Sequence, residues 1–224
     1  MKSKVFIVAA VLAVALMAVP AFAATVTLNT VVDTYVDKGN PTDSYGSSNN
    51  LYVAGDVVWL LDWSDNDKRT YLKFDLSSIP DCATITSATL GLYLNDKVDG
   101  QSESVYHVAS DSWSGNITWN TRPDYDTYLD TSNTPNENHW ETWDLLPNWN
   151  YIVDLTDDYL SLIILTNETC DSSDRYNAYD KGCNIPYLQI CYTQCNPVPI
   201  PPSALLMGSG LLGLVGLGWR RKRS

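Results

Sequence analysis

The sequence predicts an all-β protein built as an antiparallel β-sandwich, and three observations support this prediction. Apolar and polar residues alternate along Leu72–Leu76 and Ala88–Leu94, which is the period of a strand with one buried face. The other apolar runs are short, and Gly, Pro, Asn and Asp separate them. No long stretch between the two ends of the chain has the apolar spacing of a helix. Strands with one apolar face need a second layer to cover it, so a sandwich is expected.

The two alternating segments are joined by a polar corner, Ser77–Asp81, where Pro80 removes a backbone donor and ends the first strand. Ile85 is out of phase with the apolar face of the second strand, which predicts a bulge near Thr86–Ser87. The side chains expected in the core are Leu72, Phe74, Leu90 and Leu92. Further strand-like runs are Val26–Val32, Leu51–Ala54, Val57–Leu61, Val105–Val108, Thr142–Leu145, Leu160–Leu165 and Tyr187–Tyr192.

The N-terminus has the pattern of a secretory signal peptide. Lys2 and Lys4 precede the apolar run Val5–Val19, and small residues follow at Ala21–Ala23. Residues 1–23 are therefore expected to form a signal helix that is removed on export. An uncleaved membrane anchor is the alternative.

The C-terminus, residues 197–224, has the pattern of a membrane anchor. A proline-rich entry, Val198–Ser203, leads into the uncharged run Ala204–Trp219, and the basic cluster Arg220–Arg223 follows. About 17 apolar residues are at the short limit for a helix that spans a bilayer. The basic cluster is expected to stay on the cytoplasmic side.

The same tail resembles a PEP-CTERM sorting signal, in its proline-rich entry, its core Met207–Leu214 and its basic end. In place of the usual Pro-Glu-Pro, the entry reads Val198–Pro202. The resemblance implies processing by an exosortase, a membrane enzyme, and a place at the bacterial surface or in its exopolysaccharide matrix. The alternative is a permanent anchor with an intact tail.

The body of the chain, residues 24–196, is long enough for one domain with a real core. Of the 14 basic residues, six lie in the two terminal segments, whereas all 26 acidic residues lie in the body. The body therefore carries eight basic residues and a formal charge of about −18. Such a surface repels nucleic acid and other polyanions, and it suits solubility outside the cell and divalent cations.

Ordered motifs of the body resemble the DNRLRE domain family over Ala24–Thr193. The segments that carry the resemblance are Asp33–Val36, Tyr45–Ser48, Leu51–Val53, Arg69–Pro80, Ala83–Leu94, Val105–Val108 and Trp113–Pro123. The resemblance implies a sandwich of jelly-roll type, related to the carbohydrate-binding modules that accompany polysaccharide-degrading enzymes.

Five cysteines in an exported chain predict disulfide bonds with one thiol left over. Cys170 and Cys183 bracket a polar loop that a crosslink would stiffen, so these two are expected to be bonded. Cys82 lies in the corner between the two central strands, and either Cys191 or Cys195 can be its partner. A zinc site is disfavoured because neither histidine lies in the cysteine-rich segment.

Two acidic clusters are candidate sites for a structural calcium ion. Asp62, Asp65 and Asp67 concentrate hard oxygen ligands on one presumed turn, and Asp171–Asp174 does so on another. Neither cluster has the glycine and the terminal glutamate of an EF-hand loop. The alternative is a solvated acidic turn without a metal.

The sequence contains no catalytic motif of a serine hydrolase, a zinc protease, a phosphate-binding enzyme or a cysteine protease. His107 and His139 are expected to be structural or solvent-facing. With 26 carboxylates, a pair of them at a glycosidase-like spacing carries no information. The protein is therefore predicted not to be an enzyme.

Tryptophan and tyrosine dominate the aromatic residues, with eight Trp and 14 Tyr against three Phe. These rings suit sugar recognition because they combine a flat apolar face with a polar atom. Trp113 and Trp119 belong to the family-like motif and are expected in the core. Residue 124 to residue 150 is a long polar segment that is expected to form a loop. The predicted ligand-binding residues are Trp59, Trp63, Trp140, Trp143 and Trp149, with Asn138 and Asp144 as polar partners.

The favoured function is an exported, non-catalytic module that binds a polysaccharide at the cell surface or in the matrix. The acidic body favours a neutral ligand, or an anionic one bridged by calcium. One alternative is a structural or adhesive exopolysaccharide-matrix protein in which all tryptophans are buried. The other is a hydrolase or lyase with an unrecognised site. An accessible row of aromatic side chains distinguishes the first function from the second, and loss of polymer over time reveals the third.

Overall fold

The two alternating segments form the central strands of a computed structural model, which describes residues 23–59, 62–97, 101–132, 137–152, 158–166 and 173–194. Residues 23–193 make up one compact unit. Its strands are β1 (Ala23–Asp37), β2 (Asn50–Val53), β3 (Val57–Trp59), β4 (Asp62–Ser64), β5 (Lys68–Asp75), β6 (Thr84–Asp96), β7 (Glu103–His107), β8 (Tyr128–Ser132), β9 (His139–Asp144), β10 (Tyr159–Leu165), β11 (Asp174–Asn177) and β12 (Tyr187–Thr193). One helical turn, α1 (Trp149–Ile152), follows β9.

The strands pair antiparallel and form two layers. The front sheet contains β9, β6, β12, the first half of β1, β11 and β2, and the back sheet contains the second half of β1, β5, β10, β7 and β8. Strand β1 joins the layers because Ala23–Asn29 pairs with β12, whereas Thr30–Asp37 pairs with β5. Strands β3 and β4 form a separate hairpin. The predicted all-β sandwich is therefore confirmed in the described part of the chain.

The apolar core lies between the two sheets. Leu72 and Phe74 of β5 and Leu90 and Leu92 of β6 are all completely buried there, as the alternation predicted. In the β6–β12 ladder, Cys191 pairs with Ser87 and Tyr192 with Ile85, so Thr86 is an extra residue on β6. The bulge expected at this point is confirmed.

The outer face of the back sheet is covered by an irregular loop, residues 109–126, which we call the covering loop. Its Trp113 packs against Tyr71 and donates a hydrogen bond from Nε1 to Oγ of Ser161, at 2.9 Å. Nζ of Lys73 donates to the carbonyl oxygens of Asp111 and Trp113, at 2.7 and 2.5 Å. The prediction that β5 buries only one face is thus wrong, because the covering loop buries Tyr71 and Lys73 as well.

Two polar segments that were expected to be loops contain strands, of which only the run Thr142–Leu145, at the end of β9, was predicted. The segment 124–150 holds β8, β9 and the first residues of α1, and β11 begins at Asp174. Strand β11 buries the polar side chains of Asp174 and Asn177, so its sequence lacks apolar alternation. A hydrophobic pattern cannot detect a strand whose inward side chains are polar.

A buried ionic cluster lies at the end of the core, where β6, β7, β9 and β11 meet. Nζ of Lys97 donates to both carboxylate oxygens of Glu103, at 3.0 and 2.9 Å, and to Oδ2 of Asp174, at 2.7 Å. The hydroxyl of Tyr176 donates to Oε2 of Glu141, at 2.6 Å. The side chains of Glu103, Glu141 and Asp174 are completely shielded from solvent, and Lys97 is the cation that contacts two of them, Glu103 and Asp174.

Stability is expected to fall as the pH rises across the neutral range. Burial, with nearby Asp174 and Glu141, raises the pKa of Glu103 to about 10 from an ordinary value of 4.5. Between these two pH values the unfolded chain releases a proton that the folded protein keeps, so the free energy of unfolding decreases with pH. Burial also raises the pKa of Asp33 to about 6, which acts in the same direction at lower pH. Denaturant titrations at about pH 5 and about pH 9 should show this decrease, and Glu103→Gln should reduce it. If the free energy of unfolding of Glu103→Gln decreases as steeply with pH, Glu103 is not the group that causes the decrease.

The cysteines pair differently from the prediction. Cys183 is exposed and its thiol is free, so the predicted bond between Cys170 and Cys183 is wrong. It lies beyond Gly182, whose left-handed backbone directs the chain into an exposed turn. Cys82 is disulfide-bonded, and Cys191 carries a free thiol. Cys170 and Cys195 lie outside the described residues.

The two terminal segments, with the predicted signal helix and the predicted hydrophobic helix, lie outside the described residues. Within the part that the structure describes, no helix combines the length and the apolar character that crossing a bilayer requires.

Candidate functional site

The outer face of the front sheet is open to solvent. On its strands, alternate residues point away from the core, and most of them are polar and small. These solvent-facing residues are Thr25, Thr27 and Asn29 on β1, Thr89 and Tyr93 on β6, Trp140, Thr142 and Asp144 on β9, and Tyr187 and Gln189 on β12. The two faces of the sandwich therefore differ, since the covering loop closes the other one.

Three aromatic side chains meet on this open face, and we call them the aromatic platform: Tyr93, Trp140 and Tyr187. Tyr93 and Trp140 are directly opposite each other in the β6–β9 ladder, with ring centroids 5.5 Å apart. Trp140 and Tyr187 are 5.0 Å apart. Both contacts are edge-to-face, a favourable arrangement that holds rings in fixed orientations. Trp140 is 37% exposed, so the platform presents ring surface to solvent.

A glycine on the middle strand positions the platform. Gly91 is opposite Tyr187 in the β6–β12 ladder, and a Cβ atom at residue 91 would lie 2.3 Å from Cζ of that ring. The tyrosine ring can therefore lie across β6, towards Trp140, only because residue 91 has no side chain. On the far side, the hydroxyl of Tyr93 donates a hydrogen bond to the carbonyl oxygen of Asn138, at 3.0 Å.

Of the five tryptophans predicted to bind a ligand, the structure exposes Trp140 and buries two others. Trp143 is completely buried, and its Nε1 donates to the carbonyl oxygen of Glu103, at 3.0 Å. Trp149 is 3% exposed and belongs to the same core. The prediction that these two contact a ligand is wrong, because Trp143 points to the face of β9 opposite to that of Trp140, and Trp149 packs from α1 into the core. Trp59 and Trp63 lie in the β3–β4 hairpin, and their side chains lie outside the described part.

The two predicted polar partners lie at opposite ends of β9. Asn138 has a positive φ of 59° and contributes its carbonyl oxygen to Tyr93, as described above. Asp144 is exposed on the same face as Trp140, opposite Thr89. Its Oδ1 accepts a hydrogen bond from the backbone N–H of Leu146, at 3.1 Å. The structure thus places Asn138 beside the platform, as a support for Tyr93, and Asp144 on the same face at the far end of the strand.

The predicted calcium-binding aspartates have protein cations as partners. An oxygen of Asp65 lies 3.2 Å from Nζ of Lys38, and the carboxylate of Asp67 pairs with Arg69 at 2.6 Å. The side chain of Asp62 lies outside the described part. Among the residues that the structure describes, no group of three or more His, Cys, Asp or Glu side chains is arranged to hold a metal ion. Calcium binding by this turn stays a prediction.

A second aromatic surface lies on the covering loop, but its largest ring is occupied. The guanidinium of Arg122 lies 3.8 Å from the centre of the Trp119 ring, and that of Arg69 lies 4.9 Å from it. Cation–π contacts of this kind use the face that a sugar would need. Trp119 is partly exposed and packs at the edge of the small core under the loop. This surface is therefore less suited to stacking than the platform.

The platform contains two rings that the sequence prediction did not select, Tyr93 and Tyr187. Both tyrosines lie in predicted strands, at positions out of phase with the buried residues. This alternation with the buried residues is the sequence signal that could have identified the two tyrosines as solvent-facing. Rings fixed side by side on an open sheet can stack on the C–H faces of sugars, and the nearby amide, hydroxyl and carboxylate groups can bind sugar hydroxyls.

Comparison with known proteins agrees with this chemistry. A model of carbohydrate-binding module family 96 matches residues 24–192. A search of curated proteins finds no match to the chain.

Proposed function

Because the chain belongs to carbohydrate-binding module family 96, we propose that it binds a polysaccharide without cleaving it, through the aromatic platform. The observation that carries this proposal is the contact of Trp140 with Tyr93 and Tyr187 on an open sheet face. Rigid amphipathic rings give a large contact area at a low cost in conformational entropy. Membership of a binding-module family is consistent with a protein that is not an enzyme.

The charges around the platform favour a neutral polysaccharide. Asp144 lies on the same face, and no basic side chain lies among the solvent-facing residues of β1, β6, β9 and β12 at the platform in the part that the structure describes. A polyanion would meet the carboxylate of Asp144 there, and Arg175 on the adjacent strand β11 is already paired with Asp96, at 3.6 Å. The ligand class therefore follows from the local charge as well as from the acidity of the whole body.

A structural or adhesive matrix protein is the alternative function. This alternative requires that all tryptophans be buried, and the exposure of Trp140 speaks against it. A purely structural role also gives no reason for Gly91, whose lack of a side chain lets the ring of Tyr187 lie beside the exposed Trp140. These two features support a specific sugar site.

The site proposal is tested by the retention of purified protein in gels that contain a neutral polysaccharide: hydroxyethylcellulose, xylan or glucomannan. Trp140→Ala should weaken binding by about tenfold or more, since a ring at the centre of an interface contributes more than about 1 kcal/mol. Its unfolding midpoint should stay close to that of the wild type, because the ring is exposed. Arg122→Ala on the covering loop is the matched control. Loss of binding in the control alone would move the site to the covering loop.

We further propose that the protein is exported and that its tail is processed, so that it resides at the cell surface or in the matrix. The signal-like N-terminus and the sorting-signal-like tail support this proposal. Mass spectrometry of the surface-exposed protein should show a C-terminus upstream of the apolar run. Recovery of a chain that ends at Ser224 would instead indicate a permanent anchor and no role for an exosortase.

A further inference from the structure

A pocket of about 280 Å³, lined mainly by polar residues, opens where β1 leaves the front sheet. It lies between that strand and the Ser77–Ser78 corner that follows β5. The residues around it are Thr27, Leu28, Asn29, Asp75, Ser77 and Ser78. Unlike the platform, this pocket offers hydroxyl, amide and carboxylate groups, and no aromatic ring lines it.

Asn29 connects the pocket to the platform. It lines the pocket and is directly opposite Tyr187 in the β1–β12 ladder. The ring of Tyr187 in turn contacts Trp140 across Gly91. From β9 through β6 and β12 to β1 there are three strand spacings, which amount to about 14 Å. This distance fits a short oligosaccharide that lies across the strands.

The carboxylate of Asp75 is a fixed acceptor in the pocket. The backbone N–H of Ser77 donates to its Oδ1, at 2.9 Å, and this hydrogen bond fixes the carboxylate among the lining residues. Hydrogen bonds from Ser77 lower the pKa of Asp75, so the group stays ionised at neutral pH. The side chains of Asn29 and Ser78 are exposed and can donate to or accept from vicinal hydroxyls. No basic residue lines the pocket, so the chemistry again suits a neutral sugar.

We propose that this pocket is a second subsite, and that a neutral oligosaccharide chain runs from the aromatic platform across β12 to the pocket. This inference rests on the proposed function and specifies the path of the ligand. One sugar stacks on the platform, and a sugar further along the chain places its hydroxyls against Asn29, Asp75 and Ser78. The site therefore recognises an internal stretch of a polysaccharide and not a single terminal sugar.

Calorimetric titration with cello-, xylo- and manno-oligosaccharides of two to six residues tests the path. In the wild type, affinity should rise with chain length. Asn29→Ala and Ser78→Ala should each weaken the longest ligands by about three- to tenfold, the effect of one or two hydrogen bonds, and leave the shortest unchanged. Thr25→Ala, on the same face of β1 but outside the pocket, is the control.

The two proposals fail in different ways. If Trp140→Ala loses binding while Asn29→Ala and Ser78→Ala bind every length as the wild type does, the second subsite is wrong and the platform stands. If affinity does not depend on chain length, the second subsite is also wrong. If the wild type binds none of these oligosaccharides and none of the three polysaccharides in gels, both proposals are wrong.

Discussion

Replacing Lys97 by methionine should lower the free energy of unfolding by about 3–5 kcal/mol, since it leaves the buried carboxylate of Asp174 without its cation. Lys97 bonds to Glu103 and Asp174 inside the protein, and its own side chain is 3% exposed. Methionine keeps most of the volume of lysine, so the lost charge and not a cavity causes the change. Denaturant unfolding of the wild type and the variant measures the difference.

Two further variants make this prediction specific. Lys181→Met changes an exposed lysine and should alter the free energy of unfolding by less than about 0.5 kcal/mol. Adding Asp174→Asn to Lys97→Met removes the carboxylate that lost its cation and should recover part of the loss. A Lys97→Met protein as stable as the wild type would show that the cluster does not depend on its cation.

Trp143→Ala should lower the free energy of unfolding by about 3–5 kcal/mol, the usual cost of removing a large buried aromatic side chain. Trp143 is completely buried between the sheets, and its loss would also deprive the carbonyl oxygen of Glu103 of a donor. Thermal and denaturant unfolding should both report the change. The matched control is Trp140→Ala, three residues earlier on β9, which should change stability by less than about 1 kcal/mol.

The pair of variants also separates folding from binding. Trp140→Ala should lose polysaccharide retention and keep the free energy of unfolding of the wild type. Trp143→Ala should have a lower free energy of unfolding. An equal loss of stability in both variants would mean that the aromatic platform is part of the core. That outcome would favour the matrix-protein alternative.

The sequence predicted those parts of the fold in which a strand buries apolar side chains on one face. Strands β5 and β6 were found in this way, with their core residues and the bulge at Thr86. Strand β11 was missed because it buries Asp174 and Asn177, whose partners come from distant segments. The burial of Lys73 was missed for a related reason, since only the folded covering loop brings the carbonyl oxygens that bind its ammonium group.

The sequence could not show which residues of β9 face solvent, and this limited the prediction of the site. Composition identified Trp140 and Trp143 as candidates, but only the register of β9 on β6 shows which of them faces solvent. Tyr93 and Tyr187 lie far apart in sequence, and the pairing of β6 with β12 is what brings them together around Gly91. Alternation can assign a residue to a face, but it cannot say which strands are neighbours.

Strand β12 connects the proposed binding site directly to the C-terminal end of the domain. It begins at Tyr187, within the platform, and ends at Thr193, just before the C-terminal segment whose processing is proposed above. Along this length it is hydrogen-bonded on both sides, to β1 and to β6. If the domain is attached to the cell through its C-terminal end, tension on a bound polymer loads both ladders in shear, so that many hydrogen bonds resist together. An edge strand in the same place would be peeled away one bond at a time.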